Sequence, residues 1–253
     1  MLELEQYAYA QPRLRNTLSV ALAHDIAEIR EAQRLRYLVF AEEMGAQLVS
    51  AASGLDQDEF DAVCDHLIVR DTRSDEVVGT YRILPPERAA QIGGYYSEQE
   101  FDFTRLAYLR PGMVEIGRSC VHPDYRGGAV ITLLWSGLAD YLRQRDYDYL
   151  IGCASVNMSD GGHTAASLYR KLSTEVLSPV EWRVFPRTPL PLERLRNDSK
   201  VTTPSLIKGY LRVGAYICGE PAWDAEFNCA DFMMLLSVKD MNAHYARHFM
   251  NKG

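Results

Sequence analysis

The sequence predicts an α/β protein of the α+β type, in which a mixed central sheet is flanked by helices. Two short runs, HLIVRD (66–71) and VVGTYRIL (77–84), flank a polar turn and predict a β-hairpin. Two further apolar strands are expected over 113–121 and 147–156, and each precedes a helical segment. Because strands and helices do not alternate regularly along the chain, a doubly wound fold is not expected.

The first predicted helix has a clear start signal. After the strand-like run TLSVALA (17–23), Asp25 stands as an N-cap with Glu28 three residues later, which is a capping-box pattern. Apolar positions then recur on one helical face until Gly45. Arg36 falls on that apolar face, so we expect it to be buried and paired with carboxylates.

The strand over 113–121 carries an acid and a base three residues apart, Glu115 and Arg118. In a regular strand these side chains point to opposite faces. Either only one of them faces a cleft, or a bulge between them re-aims both. The strand continues into a basic turn before a helix expected over 129–145, and helix N-terminal amides can bind a phosphate.

The last third of the chain is richer in proline and predicts shorter elements. A helix over 163–172 is followed by a proline-rich segment, then a short helix that ends at Gly214. Two strands, 215–219 and 232–239, and a final helix over 241–250 complete the pattern. We predict a core over 1–177 and a C-terminal part over 178–253 that completes the sheet and carries a basic segment, in one domain overall.

Charge and composition bound the function classes. The net charge of −7 argues against bulk binding of nucleic acid. Residues 170–212 nevertheless hold nine Lys/Arg against four acids, which indicates a specific anionic partner or a solvated basic loop. No apolar run is long enough to span a membrane, so we expect a cytoplasmic protein, with peripheral contact to the inner membrane left open. Five cysteines without a CxxC pair predict neither a zinc site nor a disulfide framework, and no metal is expected.

Several motifs in this order resemble a known family. They are LRYLVFAEE, LDQDEFDAVCDHLIVRD, VGTYRIL, YYSEQEFDF, VEIGRSCVHPDYR and PSLIKGYLRVGA. Together they are similar to the GCN5-related N-acetyltransferase (GNAT) superfamily, and most of all to the ornithine N-acyltransferases of ornithine-lipid synthesis. A more distant resemblance is to the acyl-homoserine lactone synthases. In the turn, Arg126 is followed directly by Gly127 and Gly128, which departs from the acetyltransferase pattern and fits a protein-carried phosphopantetheine arm better than CoA.

The resemblance implies an N-acyltransferase that moves a long, 3-hydroxylated acyl chain from acyl carrier protein, with acyl-CoA as the other possible donor, to the α-amine of ornithine or a similar amino acid. No cofactor is expected to be bound permanently. The alternatives are an acetyl-CoA-dependent acetyltransferase, an enzyme like the acyl-homoserine lactone synthases, and a non-catalytic lipid-binding protein.

The predicted site residues fall into three groups. The catalytic pair is Glu115 and Arg118, with Glu115 as the base that takes the amine proton. The substrate-binding residues are Arg36, Phe40, Asp58, Asp61 and Arg82. The phosphopantetheine-binding residues are Val121, Arg126, Gly127 and Gly128.

Two alternatives for these residues stay open. Asp58 and Asp61 either neutralise buried arginines or bind the two amines of a diamino acid, and both roles are compatible. Cys120 and His122 share a strand face, so an acyl-cysteine intermediate is conceivable, although no acid is evident to orient the histidine.

Overall fold

The computed structural model describes residues 17–48 and 50–241. The chain folds into two compact units. The first unit takes the chain up to Leu84 together with Ile116–Arg145, and the second takes Pro85–Glu115 together with the chain from Asp146 onwards. All of the predicted final helix except Met241 lies outside the described residues, and the predicted division at residue 178 stays a prediction.

The helices and strands of the described chain follow in sequence order. The α-helices are α1 (Ile26–Tyr37), α2 (Pro86–Gln91), α3 (Ala129–Arg145), α4 (His163–Glu175) and α5 (Ser205–Val213). The strands are β1 (Leu18–Leu22), β2 (Asp65–Asp71), β3 (Glu76–Leu84), β4 (Phe101–Asp102), β5 (Met113–Val121), β6 (Tyr149–Asn157), β7 (Phe185–Pro186), β8 (Tyr216–Ile217), β9 (Ala222–Asp224) and β10 (Cys229–Ser237).

In the first unit, the strands follow the order β1, β2, β3 and the later part of β5. The β2–β3 pair is the predicted antiparallel hairpin. Asp25 caps α1 by accepting from the backbone N–H groups of Ala27 and Glu28, while Glu28 accepts from His24 N at 2.7 Å. The predicted N-cap is therefore confirmed, but Glu28 bonds the N–H of His24 instead of that of Asp25, so the predicted capping box is wrong in its second half. The helical path continues as a π-helical turn, Leu38–Glu43, to Gly45.

Helix α3 packs closely on the sheet of the first unit because two glycines leave room for it. A Cβ on Gly79 of β3 would lie 2.3 Å from a methyl of Val130, and one on Gly137 would lie 2.9 Å from a methyl of Val20. Neither approach tolerates a side chain without a shift of the helix.

In the second unit, the strand order is β5, β6, β10 and β8, with β9 also on β10. The start of β5 pairs with β6 in parallel, from Met113↔Tyr149 to Glu115↔Ile151. Strand β10 pairs antiparallel with β6 over its whole length, and every residue of β10 is buried. The sheet is therefore mixed, which confirms the predicted fold class, including a C-terminal part that contributes strands.

Short elements account for most differences from the sequence-based assignment. Strands β4 and β7 pair over two residues, and β9 contributes three residues to its pairing with β10. Such pieces carry too few residues for a period-2 pattern and arise from non-local pairing. Among the described helices, none is long and apolar enough to cross a bilayer.

The close approach at Gly79 predicts a stability difference between two glycines. Gly79→Ala should lower the free energy of unfolding by about 1–3 kcal/mol, because the new methyl overlaps Val130. Gly209→Ala is the matched control: it lies inside α5, where an added Cβ would meet nothing within 4 Å, so it should raise stability by about 0.5–1 kcal/mol. Urea unfolding followed by circular dichroism measures both, and equal shifts of the same sign would contradict the packing.

Candidate active site

A fully buried arginine organises the polar residues of the first unit. Arg36 on α1 donates from Nε to Asp56 Oδ2 at 2.8 Å and from Nη1 to Asp61 Oδ1 at 2.7 Å. Its Nη2 donates to Asp61 Oδ2 and to the carbonyl oxygen of Asp56. Burial would lower the pKa of Arg36, but the hydrogen bond and charges of the aspartates outweigh it and raise that pKa. The predicted burial of Arg36 against carboxylates is confirmed.

Asp61 is occupied by this network. Besides the two N–H groups of Arg36, it accepts from Gln33 Nε2 at 3.2 Å and from the backbone N of Asp58 at 3.0 Å. Burial would raise the pKa of Asp61, but the hydrogen bond of Arg36 and the charges of Arg36 and Arg82 hold it well below its usual range. Arg82 Nη1 also lies 3.5 Å from Oδ1, so five donors contact this carboxylate.

Two more arginines reach the same acidic loop from strands. Arg82 on β3 donates from Nη1 to Asp58 Oδ1 at 2.6 Å. Arg118 on β5 lies 3.3 Å from Asp56 Oδ2 through Nε and 3.3 Å from Asp58 Oδ2 through Nη2. Three guanidiniums thus meet three carboxylates in the first unit, so the cluster balances its own charge. The substrate-binding role predicted for these residues stays a prediction.

Strand β5 departs from regular geometry at Arg118. This residue has φ +49°, in the left-handed region that costs an L-residue roughly 1–2 kcal/mol. Its ion pairs with Asp56 and Asp58 help to hold that conformation. The sequence left open a bulge that re-aims both Glu115 and Arg118. Such a bulge requires a local change of backbone direction in this part of β5.

Other first-unit residues take supporting positions. His66 on β2 donates from Nε2 to the carbonyl oxygen of Asp61 at 3.1 Å, because a carbonyl can only accept, and burial lowers the pKa of His66.

Phe40 packs against the apolar cluster that contains Cys120. Burial raises the pKa of Cys120 to about 12, which keeps the thiol protonated and argues against an acyl-cysteine intermediate.

The basic turn is held by an ion pair. Arg126 donates from Nη1 and Nη2 to the two carboxylate oxygens of Glu43 at 2.5 and 2.6 Å, and from Nε to the carbonyl oxygen of Val121. A Cβ on Gly127 would meet nothing within 4 Å, whereas Gly128 has φ +93°. The turn therefore leaves open space beside Gly127 at the start of α3, and its phosphopantetheine-binding role stays a prediction.

In the second unit, Glu115 accepts hydrogen bonds from a single short segment. The backbone N of Tyr96 lies 2.6 Å from Oε2, and the backbone N of Ser97 lies 2.9 Å from Oε1. The Ser97 hydroxyl also donates to Oε1. Tyr95 reinforces the arrangement by donating its hydroxyl to the carbonyl oxygen of Met113 at 2.5 Å. Glu115 is buried and is the last residue of β5 that pairs with β6.

Comparison with known proteins assigns this chain to a family. A family model described as an acetyltransferase (GNAT) domain matches residues 35–136. The L-ornithine N(alpha)-acyltransferase of Rhodobacter capsulatus is 38% identical over 247 residues, which cover 92% of this chain and 95% of that relative. The chain belongs to this acyltransferase family. It is an enzyme of the GNAT superfamily, and the non-catalytic alternative is set aside.

Solved structures show the same fold at low sequence identity. The N-acyl amino acid synthase FeeM, from uncultured soil microbes, has a TM-score of 0.54 and 13% identity, covering 88% of this chain and 92% of that one. The AHL synthase LasI has a TM-score of 0.52 and 14% identity, covering 92% and 95%. The acyltransferase fold and the resemblance to the acyl-homoserine lactone synthases are therefore both confirmed.

The acyltransferase also contains a buried acid pair that the sequence-based analysis missed. Glu100 and Asp231 share a hydrogen bond in the second unit. Burial and the neighbouring charge of Asp231 raise the pKa of Glu100 to about 10, and burial raises the pKa of Asp231. The raised pKa values favour a protonated Glu100 at neutral pH, which can donate to Asp231. The signal was present, because Asp231 is the one acid in the apolar run CADFMMLLS of β10.

Cys153 stands beside this pair. One ligand atom each from Glu100, Cys153 and Asp231 lies within 4.8 Å of the others, which is close enough to hold a metal ion. Burial raises the pKa of the Cys153 thiol well above its usual value. Metal ligands must be deprotonated, so the protons on these groups disfavour a metal at neutral pH.

The acid pair predicts a particular pH dependence of stability. Because the folded-state pKa of Glu100 is raised, the folded state holds a proton that the unfolded state releases above about pH 4.5. Stability should therefore fall as pH rises towards 10, by less than about 1.4 kcal/mol per pH unit. Glu100→Gln should reduce this slope to the part that Asp231 contributes, because the amide donates to Asp231 as the protonated acid does.

Urea unfolding at pH 6 and pH 9 measures this effect. The control is Glu193→Gln, which removes an equal charge from a position outside the buried pair and should keep the wild-type slope. If Glu100→Gln and the wild type lose equal stability between the two pH values, Glu100 is ionised in the folded protein.

Proposed function

We propose that this enzyme transfers a long, 3-hydroxylated acyl chain from acyl carrier protein to the α-amine of L-ornithine, as in the synthesis of lyso-ornithine lipid. The observation that carries the proposal is the similarity to the Rhodobacter capsulatus L-ornithine N(alpha)-acyltransferase over 92% of this chain. The buried, hydrogen-bonded carboxylate of Glu115 supports it, because acyl transfer to an amine needs a proton acceptor.

The chemistry needs a neutral amine, a polarised thioester carbonyl and a proton acceptor. The amine nitrogen attacks the carbonyl carbon, the C–N bond forms, and the C–S bond breaks. The amine loses one proton and the departing pantetheine sulfur gains one, so the reaction balances. Glu115 is the base in this proposal, since hydrogen bonds from three donors favour the ionised carboxylate, which is the form that can take the amine proton. Arg118 supplies positive charge on the same strand.

For the amino-acid substrate, the first-unit cluster offers unequal carboxylates. The Asp58 side chain is 23% exposed, whereas the Asp61 side chain is 4% exposed and accepts five hydrogen bonds. Asp58 is therefore the better candidate to meet a substrate ammonium, and Asp61 serves to hold Arg36. Arg82 and Arg118 are the candidates to bind the substrate carboxylate, because guanidiniums bind carboxylates through paired N–H groups.

For the donor, the turn at the start of α3 is the proposed binding place of the phosphopantetheine phosphate. The N-terminal amides of a 17-residue helix favour an anion there. Glu43 engages the guanidinium of Arg126, so the phosphate would contact backbone N–H groups of Gly127 and Gly128 first.

Carrier protein is acidic in this proposal, and a basic surface of the second unit is complementary to it. The loop with Arg194 and Arg196 lies against α4, because the backbone N of Arg196 donates to His163 Nδ1 at 3.0 Å and Arg170 donates to Asn197 Oδ1 at 3.2 Å. We call Arg170, Lys171, Arg194 and Arg196 the α4 basic group. Complementary charge mainly speeds encounter.

Peripheral membrane contact has a separate candidate surface. Tyr108, Val180 and Phe185 are 62%, 66% and 54% exposed, and we call them the apolar patch. Arg105 joins two of them, since it donates to the carbonyl oxygen of Val180 at 2.9 Å and lies 5.0 Å from the ring centre of Phe185. Exposed apolar side chains beside a guanidinium suit a lipid headgroup region, although Asp102 and Glu181 reduce the local positive charge.

A different acyl donor or a different amine acceptor would give a different enzyme activity. An acetyltransferase would prefer acetyl-CoA, and an enzyme like the acyl-homoserine lactone synthases would use a different amine. Mass spectrometry of lipids from cells that express the protein separates these, because each alternative predicts a different product mass.

Glu115→Gln tests the proposed base. The expected loss in kcat is about 10²–10⁴-fold, the usual range for a general base. Gln has one acceptor oxygen, and its NH₂ group would face the N–H of Tyr96 or Ser97, so stability should also fall by about 1–3 kcal/mol. Activity must therefore be measured per folded molecule, with ornithine and acyl-carrier protein as substrates.

A stability-matched comparison completes this experiment. His66→Gln removes a buried group of the first unit that the proposed chemistry does not use, so it should cost stability while kcat per folded molecule survives. Raising the pH should partly restore activity to Glu115→Gln, because the amine is then deprotonated by solvent. A folded Glu115→Gln enzyme with wild-type kcat would remove Glu115 from the mechanism.

Separate charge and patch variants test the two proposed surfaces. Arg194→Glu with Arg196→Glu should raise KM for acyl-carrier protein about tenfold, and added salt should mimic the change. Val180→Glu with Phe185→Ser should leave that KM unchanged but reduce co-sedimentation with vesicles of phosphatidylcholine and phosphatidylglycerol.

The control for both is Ile26→Glu with Met44→Glu, which alters exposed apolar residues of the first unit and should change neither measurement. If acyl-CoA is the better donor and salt has no effect, the carrier surface is wrong. If the patch variant sediments like the wild type, the membrane contact is wrong.

A further inference from the structure

Ser97 occupies a particular place beside Glu115. It is 1% exposed, and it gives both its backbone N–H and its hydroxyl to the same oxygen, Oε1. An ionised carboxylate oxygen has two lone pairs, so one residue fills both of them. The orientation of the Glu115 carboxylate is therefore set by the backbone position and the rotamer of Ser97.

The thiol of Cys153 determines which way the Ser97 hydroxyl points. Its Sγ lies 3.3 Å from Ser97 Oγ. Serine has one hydroxyl hydrogen, and an ionised Glu115 can only accept, so that hydrogen goes to Glu115. The remaining hydrogen bond needs Cys153 as the donor, and the raised pKa of the thiol keeps its hydrogen in place. Donors then run in one direction, from Cys153 through Ser97 to Glu115.

We propose that Ser97 is a positioning residue for the acyl transfer, which holds Glu115 ionised and correctly oriented, with Cys153 fixing the direction of its hydroxyl. This inference rests on the proposed function in one respect, namely that Glu115 acts as the base. When Glu115 takes the amine proton, the Ser97 hydroxyl loses an ionised acceptor and can rotate towards Sγ. The release of that proton restores the original direction, so no atom is gained or lost over a cycle.

Several charged and titratable groups of the second unit lie near Glu115 or its neighbours. Those that influence it or its neighbours from the elements of the second unit are Tyr95, Glu98, Glu100, Arg110, Cys153 and Asp231. Burial and the charge of Glu115 raise the pKa of Tyr95, so its phenol stays neutral. Arg110 is paired with Glu98, and burial and the charge of Asp231 raise the pKa of Glu100. The hydrogen bonds from the 96–97 segment are therefore direct contacts that favour the ionised form of Glu115.

The test is a titration of the Glu115 carboxylate by isotope-edited infrared spectroscopy, with Glu115→Gln used to assign its band. Ser97→Ala should move the midpoint of that band to higher pH by about one unit, which is the effect of losing one hydrogen bond to a charge. Cys153→Ala should move it in the same direction by less, because the thiol acts through Ser97. The acid limb of the kcat profile should move with the midpoint, and kcat should recover at high pH.

Ser178→Ala is the matched control, since Ser178 is also 1% exposed but donates to the carbonyl oxygen of Pro179. It should leave the midpoint in place. A Ser97→Ala enzyme with an unmoved midpoint, or with kcat lowered equally at every pH, would overturn the positioning role. The infrared measurement needs no substrate, so a shifted midpoint without ornithine acylation would count against the proposed function and leave the Ser97 assignment standing.

Discussion

The buried guanidinium of Arg36 is the constraint on which the first unit depends. A cation without water must be paired, so Asp56 and Asp61 have to lie where α1 places this arginine. That requirement folds the acidic loop onto the helix and brings Asp58 to Arg82 and Arg118. Removing Arg36 would leave two buried carboxylates without their main partner, a change that typically costs about 3–5 kcal/mol.

The two units treat buried acids in opposite ways. In the first unit, each carboxylate of the cluster faces a guanidinium, and the pKa of Asp61 is held low. In the second unit, Glu100 and Asp231 have each other as hydrogen-bond partners, and the pKa values of both are raised. Glu115 belongs to a third type, since hydrogen bonds from the backbone and hydroxyl groups of one segment surround it. Hydrogen bonds of this kind favour the ionised form of a carboxylate.

Much of the fold followed from local patterns. The bounds of β5 and α3 were predicted to the residue, and Asp25 is the predicted N-cap, because each depends on periodicity or on contacts within a few residues. The burial of Arg36 was also predictable, since a charged residue on an apolar helix face needs a partner. Strands β4, β7 and β9 were missed because residues distant in sequence create them.

The sequence by itself determined the fold class, the arginines that need partners and the strand that carries Glu115 and Arg118. It did so because apolar periodicity and buried charge are properties of short segments. Only the tertiary structure decided that Asp61 lies against Arg36, that Ser97 and Cys153 stand beside Glu115, and that Glu100 is buried against Asp231 with a raised pKa. These pairings join residues up to 131 positions apart (from Glu100 to Asp231), and their geometry arises from strand pairing and burial that no local pattern encodes.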